Sequence, residues 1–519
     1  MHLHWIDITI VLVYVGGTIL VGVLSRGAIK GISDFLVAGR SLNIYMAVAT
    51  YVATGLGLVT VMYFAEEGFK NGMAPFLVGV LMTLVFLVVG KTGFIVSRLR
   101  HLQVMTVPEF YELKYTRGVR LLGGLILAVA GTLNMGLFPI LGSRFVVGFT
   151  GLPKESVNYV MLVMVAVVVF YTLMGGMVSV VLVDFIQFLL LTVGFAIGTW
   201  AILTHPDLGW TNIVDSLVAH KGPAAFDPIA NPDYGWIFII YFFSVGMIGI
   251  VWAPEMTHVL STESPRVARR MFWIQGLTML GRALIPMFWG AAAFVWVHLP
   301  TYAGPYAGDG RYAMPEMISQ LLPIGVTGFL MAGMLAAFMS THDSYLLAWS
   351  AVIVRDVVSP IKAMLAGSRQ ERAADGTWGG LTGEREIRAV RIAVVVIACF
   401  LVAFGAFYTP PETSMKYMYV TGTIYFAGCV GTIGLGLYWR RANTVGAYCA
   451  LVMGAMGPIA FLILAEMPEV LPAHLRFLVE NSNLSVMASL LLGGLGMVAG
   501  SLVSQRRHPP RALDFAGME

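Results

Sequence analysis

Charge is what this chain has least of. Asp, Glu, Lys and Arg make up 12% of its 519 residues, 58% are hydrophobic, and mean hydropathy is +0.81. A water-soluble fold covers its surface with roughly twice that charged share, so a soluble globular protein is excluded. Cysteine is nearly missing as well. Cys399, Cys429 and Cys449 all fall in apolar runs at no metal-like spacing, which excludes a disulfide framework and leaves them as small apolar packers. No G-x-x-x-x-G-K-[ST] loop occurs, so the chain has no nucleotide-driven engine. No clustered nucleophile and base or metal-ligand spacing points to an enzyme. The longest pieces between apolar runs, near 204–233, 299–320 and 355–390, are too short for an independent core. The start, "MHLHWIDITIVLVYVGG", lacks a basic n-region and a small-residue cleavage site, so the first apolar run is expected to stay in the mature protein.

Long apolar runs are what is there. A bilayer-spanning helix needs about 20 mostly apolar residues. Thirteen runs qualify, near 5–25, 43–67, 74–97, 119–149, 156–174, 178–203, 234–254, 270–298, 321–354, 391–408, 415–438, 444–466 and 484–504. A membrane β-barrel would show short alternating segments instead. The reading is an all-α polytopic membrane protein, one transmembrane unit over 1–519, with a cytoplasmic tail at 505–519 and a Gly- and charge-rich linker at 366–386. Lys and Arg crowd alternate loops: Arg26, Lys30 and Arg40; Arg98 to Arg120; Arg266 to Arg270; Arg355 to Arg391; Arg440 and Arg441; Arg506 to Arg511. The opposite loops hold only Lys70, Lys154, Lys221, Arg311, Lys416 and Arg476. The positive-inside rule puts the first set in the cytoplasm of a cell or inner membrane, the N-terminus outside and the C-terminus inside. The net charge of +4 thus reports topology and gives no reason to invoke nucleic acid.

Polar residues inside these runs carry the functional signal. "MSTHDSYLL" (339–347) sits between two strongly apolar stretches. On a helix turning about 100° per residue, Ala337, Ser340, Thr341, Asp343 and Ser344 share one broad face and His342 lies opposite. Hydroxyls and reachable carbonyls suit a small alkali cation. The simpler reading is a hydroxyl bonded to the carbonyl one turn back, which leaves Asp343 unexplained, because a carboxylate at membrane depth is costly. Asp184 is the only acid in its run, with a bond to a neighbouring helix as its simplest role. Arg144 and Arg282 are expected to pair with an acid or reach an interface. Glu66 and Glu67 are expected at a solvated outer helix end and His258 at a cytoplasmic one. Gly55 and Gly57, and Gly246, Gly249 and Pro254, mark two runs as candidates for interrupted helices in matching positions of two repeats; close helix packing is the alternative.

Four stretches carry a family resemblance: "SDFLVAGRSL" (33–42), "TVPEFYELKY" (106–115), "YTLMGGMVSVVLVDFIQ" (171–187) and "GLYWRRANTVGAYCALVMG" (436–454). Their order resembles the sodium:solute symporter family, over about residues 5–460. The resemblance implies a LeuT-type core of two five-helix inverted repeats at 43–203 and 234–438, one extra helix before it (5–25) and two after it (444–504). It implies symport of a small organic solute with Na+ as the coupling ion, by alternating access, with no organic cofactor and no obligate protein partner. By motif position, the sodium site would use Ala53, Leu56, Ala337, Ser340 and Thr341. A second cation or proton site would use Asp184, Asp343 and Ser344, and solute contacts would come from Gly55, Gly57, Thr60, Asn134 and Trp252. Two departures stand out: Asp343 occupies a position more often small or hydroxylated, and Val183 precedes Asp184 where Thr is common. Asp184 and Asp343 are expected to flank one pocket, unless Asp343 pairs with Arg144 or Arg282. Proton-coupled symport through these carboxylates and a transporter-like sensor remain as alternatives; the tail has no room for a kinase. Substrate identity among sugars, amino acids, carboxylates and vitamins stays open.

Overall fold

A backbone in hydrocarbon must satisfy its own hydrogen bonds, so the apolar runs become helices. The computed structural model describes residues 3–24, 36–365, 384–409, 413–465, 467–472, 476, 482–513 and 515. Arg26, Lys30, the first residues of the "SDFLVAGRSL" stretch, most of the 366–386 linker and the end of the tail lie outside the described residues. Among the described residues the only non-helical pairing is one bridge between Leu42 and Thr262. Nine helices there are long and apolar enough to cross a membrane alone, and two bent pairs qualify together. Trp5–Val21 and Phe76–Thr92 are apolar but shorter.

The first helix, α1 (Trp5–Leu24), leads to a bent pair, α2 (Ile44–Gly55) and α3 (Leu58–Asn71), set 52° apart. Asn43 caps α2 by accepting from Met46 N at 3.1 Å. After α4 (Phe76–Thr92) come the short α5 (Val107–Lys114), then α6 (Arg117–Met135) and α7 (Phe138–Thr150). The runs expected at 156–174 and 178–203 share one helical stretch, α8 (Val157–Thr204). The second bent pair, α9 (Gly235–Gly249) and α10 (Ala253–Leu260), turns by 43°. α11 (Pro265–Val297) and α12 (Val326–Val352) follow, then α13 (Glu384–Phe407), α14 (Ser414–Cys429), α15 (Thr444–Leu464) and α16 (Ser482–Ser504). Two glycines let α3 and α11 meet backbone to backbone: a Cβ on Gly68 would overlap the Met287 carbonyl, and one on Gly290 the Ala65 carbonyl. α1 caps α12, because Asp7 Oδ1 accepts from Gly325 N and Gly328 N, each at 2.7 Å.

Several charges sit deeper than their loop positions suggested. A wide helical turn at Ile353–Val358 extends α12 and carries Arg355 and Asp356 into a buried network. Arg355 contacts Glu109 and Glu386, each at 2.9 Å, and Arg120 contacts Asp356 at 2.8 Å and Glu112 at 3.0 Å. This network ties α5, α6 and α13 to the end of α12. Glu67, expected at a solvated helix end, is fully buried and accepts from Tyr234 OH at 2.6 Å, Asn71 Nδ2 at 3.1 Å and Thr413 Oγ1. Its three donors explain the placement: a buried carboxylate stays only where hydrogen bonds replace water.

Candidate functional site

The break between α2 and α3 leaves helical geometry at Leu56 (φ −95°, ψ 56°), and Gly57 starts α3 in extended backbone (φ −75°, ψ 160°). α12 packs across this elbow. Ser340 Oγ donates to the Ala53 carbonyl at 3.1 Å and to that of its own Ala337 at 3.2 Å, and Thr341 Oγ1 donates to the Thr54 carbonyl at 3.1 Å. Ser340 therefore does bond back along its helix, as the simpler reading held, but both hydroxyls also bridge to another one. Ala53, Ala337, Ser340 and Thr341 are buried together, with Leu56 forming the elbow beside them. Uncharged hard oxygens from two helices converging on one buried spot are a donor set that fits an alkali cation.

A chain of hydrogen bonds leads from there between the two carboxylates. Tyr171 OH donates to Asp343 Oδ2 at 2.6 Å, and Ser344 Oγ contacts Asp343 Oδ1 at 3.3 Å and Thr54 Oγ1 at 3.0 Å. Thr54 Oγ1 lies 2.8 Å from His258 Nε2, and His258 Nδ1 lies 3.2 Å from Thr50 Oγ1, which donates to Asp184 Oδ2. Asp184 and Asp343 are both fully buried, and Asp184 Oδ1 has no hydrogen-bond partner among the described residues. His258, expected at a cytoplasmic helix end, is buried in the middle of this chain, because the bend before α10 turns it against α2. His342 points elsewhere, its Nδ1 2.7 Å from the Phe338 carbonyl. Arg282 and Arg144 do not pair with Asp343, whose partners are hydroxyls.

On the other side of the elbow lies a cavity of about 160 Å³, lined by residues of both bent pairs, α4, α6, α11, α12 and α14. Asn134 and Trp252 line it, though Asn134 spends its amide donors on Met418 O at 2.8 Å and Thr421 Oγ1 at 2.9 Å. Trp252 Nε1 donates to Tyr345 OH at 3.2 Å. Gly55 lies against Arg282, another lining residue: a Cβ there would be 2.8 Å from Nη1. Gly57 instead faces Thr341 on the oxygen-rich side, and Thr60 Oγ1 holds the elbow by donating to the Gly55 carbonyl at 3.1 Å. Arg282, Glu255, Thr50, Thr54, His258 and Tyr171 are the site residues that sequence reasoning did not assign. Thr50 and Thr54, one turn apart and ending at Gly55, offered a signal for two of them.

The chain is similar to known transporters along most of its length. Relatives include a sodium/proline symporter of Salmonella typhimurium, 22% identical over 86% of each chain, and one of Staphylococcus aureus, 24% identical over 88% of this chain and 86% of that one. A sodium/glucose cotransporter of Vibrio parahaemolyticus is 23% identical over 91% of this chain and 87% of its own. Among solved structures, a Na+-coupled sialic acid symporter in a substrate-bound outward-open state superposes with a TM-score of 0.76, at 18% identity over 98% of this chain and 99% of that one. A nucleobase-cation-symport-1 family transporter in a closed conformation gives 0.55 at 12% identity over 92% and 95%. Both are transporters that share the fold of this chain, the kind of fold the resemblance implied. The family described as "Sodium:solute symporter family" matches residues 35–454, and the chain belongs to the sodium:solute symporter family.

Proposed function

We propose that the oxygens of Ala53, Leu56, Ala337, Ser340 and Thr341 hold the coupling sodium and that the cavity beside Gly55 takes the solute. The chain is a secondary active transporter that couples sodium to a small organic solute. The observation supporting the residue assignment is the reach of Ser340 to the Ala53 carbonyl. With an ion present, the hydroxyls turn their lone pairs to the cation, and ion–oxygen contacts replace the two interhelical hydrogen bonds. Sodium then fastens α12 to the elbow whose other side lines the cavity. A ligand that prefers one arrangement of the elbow raises affinity for the other ligand, which is what coupling requires. Asp184, Asp343 and Ser344 are assigned to a second cation or proton site. The Lys and Arg distribution supports an N-terminus outside and a C-terminus in the cytoplasm.

The hydrogen-bonded chain through His258 favours one second reading, in which a proton replaces sodium as the coupling ion. Purified protein separates the two. Sodium alone should raise its thermal stability by mass action. Ser340→Ala and Thr341→Ala should each raise the sodium concentration needed, with solute affinity in the absence of sodium little changed. If neither variant moves the sodium dependence, the ion site lies elsewhere; if a pH gradient drives uptake without sodium, the second reading replaces the first.

A further inference from the structure

The solute cavity holds two opposite charges that neither the ion site nor the fold uses. Arg282 is 8% exposed, its Nη1 lies against Gly55 and 3.5 Å from Met279 Sδ, Tyr63 faces the guanidinium, and its buried Nε has no hydrogen-bond partner among the described residues. It makes no ion pair among the described residues. Glu255, in the first turn of α10, lines the same cavity and accepts one hydrogen bond, from Tyr51 OH to Oε2 at 3.2 Å. Its other oxygen accepts none among the described residues. A guanidinium at membrane depth without its anion is costly, and its planar fork matches a carboxylate. A bare carboxylate would meet repulsion from Glu255, so the ligand must also bring a cation to that side. A zwitterion does both and leaves the total charge of the cavity unchanged. Phe86, Trp252 and Phe426 supply apolar walls, with Trp252 also suited to face a cation. The 160 Å³ volume is close to that of the roughly 150 Å³ cavity known to bind benzene, so the ligand is small.

We propose that the transported solute is a small zwitterion with an apolar body, an amino acid in its simplest form, with its carboxylate on Arg282 and its ammonium toward Glu255. The proposal rests on the reading of this cavity as the solute site. Sodium is already implied by the family; the charge pattern of the cargo is what Arg282 and Glu255 add.

Thermal stability of the purified full-length protein in sodium tests it. The probes are the standard L-amino acids, isovalerate and isobutylamine (L-valine without its ammonium or without its carboxylate), and glucose. At least one amino acid with an apolar side chain should stabilise the protein in a sodium-dependent way. Isovalerate and isobutylamine should each need about tenfold to a hundredfold more than L-valine, the loss expected for one charge-assisted contact. Arg282→Met should abolish the amino-acid response. Should that variant fold poorly, Arg282→Met with Glu255→Gln removes both charges together and should abolish it too, while stabilisation by sodium alone persists. Glucose stabilising as well as any amino acid, isovalerate matching L-valine, no response to any amino acid, or an unchanged response in the double variant would each overturn the proposal. Loss of the response to sodium alone in the wild type would instead overturn the ion site, so the two failures are distinguishable.

Discussion

Replacing Gly57 by alanine should cripple sodium binding while sparing the solute cavity. Backbone freedom is not why glycine sits there, although positive φ is the usual expectation at a helix break. Its φ of −75° and ψ of 160° are extended backbone open to any residue. Space is the reason. A Cβ on Gly57 would overlap Thr341 Oγ1 and lie 2.8 Å from Thr341 Cβ. Thr341 is buried, and its hydroxyl is committed to the Thr54 carbonyl at 3.1 Å, so it cannot swing aside without giving up that bond. Overpacking costs about 1–3 kcal/mol, and a lost buried hydrogen bond adds about 1 kcal/mol. If the whole of that falls on the arrangement that binds sodium, affinity drops about 30-fold to several-hundredfold. Sodium titration of purified protein, followed by thermal shift or tryptophan fluorescence without solute, reads this directly. Thr341→Ala removes the overlapping oxygen, so Gly57→Ala and Thr341→Ala together should be less harmful than their summed effects, by about 1–2 kcal/mol. A Gly57→Ala sodium curve that overlays the wild type, or strict additivity in the double variant, refutes the reasoning.

Gly55→Ala should do the reverse: its Cβ meets the movable end of Arg282, Nη1 at 2.8 Å and Cζ at 3.2 Å. Calorimetry should then show solute affinity down about tenfold with stability changed by less than about 1 kcal/mol, and unchanged solute binding would count against Arg282 as a contact. Asp343→Asn should leave the protein folded, because Tyr171 can donate to the amide oxygen and no arginine is stranded, while raising the sodium concentration for half-saturation. A gross loss of folded protein in that variant would mean that Asp343 is structural. Arg120→Met should destabilise by about 3–5 kcal/mol, since it takes the cation from buried Asp356, while Glu109 keeps Arg355; a melting temperature within a few degrees of wild type would contradict this. At the expected outer face, burial pushes the Asp233 carboxyl up, but hydrogen bonds and charge from Lys70 and Lys416 outweigh it and hold the group at about 2. Its contribution is therefore present above the ordinary aspartate value and lost as pH falls toward about 2. Asp233→Asn should lower the melting temperature at neutral pH but not at the acid end of that window.

What the sequence made legible divides along a physical line. Hydropathy runs report on one helix at a time, and so does the break at Gly55 and Gly57, since paired glycines inside an apolar run are visible locally. Ser340 and Thr341 stood out because two adjacent hydroxyls interrupt an apolar run. Nothing local shows which helix a side chain will meet. Thr54 and His258 are 204 residues apart yet within 2.8 Å, and Tyr171 reaches Asp343 across 172 positions. His258 read as a helix-end residue because the bend that buries it is a property of three dimensions. The charges of Arg120 and Arg355 served as topology markers, which is sound for counting loops but blind to their pairing with Asp356 and Glu109 inside the protein.

The placement of the two glycines leads to a last consequence for coupling. Gly55 and Gly57 flank Leu56 on one elbow and meet different neighbours, the first Arg282 in the proposed solute cavity and the second Thr341 at the proposed ion site. Neither ligand needs to touch the other for them to cooperate. It suffices that the elbow has two arrangements and that each ligand prefers the same one. Sodium should then raise solute affinity, and solute should raise sodium affinity by the same factor. Ser340→Ala cuts the tie from α12 to the Ala53 carbonyl without entering the cavity. It should leave solute affinity in the absence of sodium unchanged and shrink the enhancement seen at saturating sodium. If Ser340→Ala keeps the full enhancement once sodium is saturating, the elbow is not the coupling element, and the transmission must run through the Thr54–His258–Thr50 chain instead.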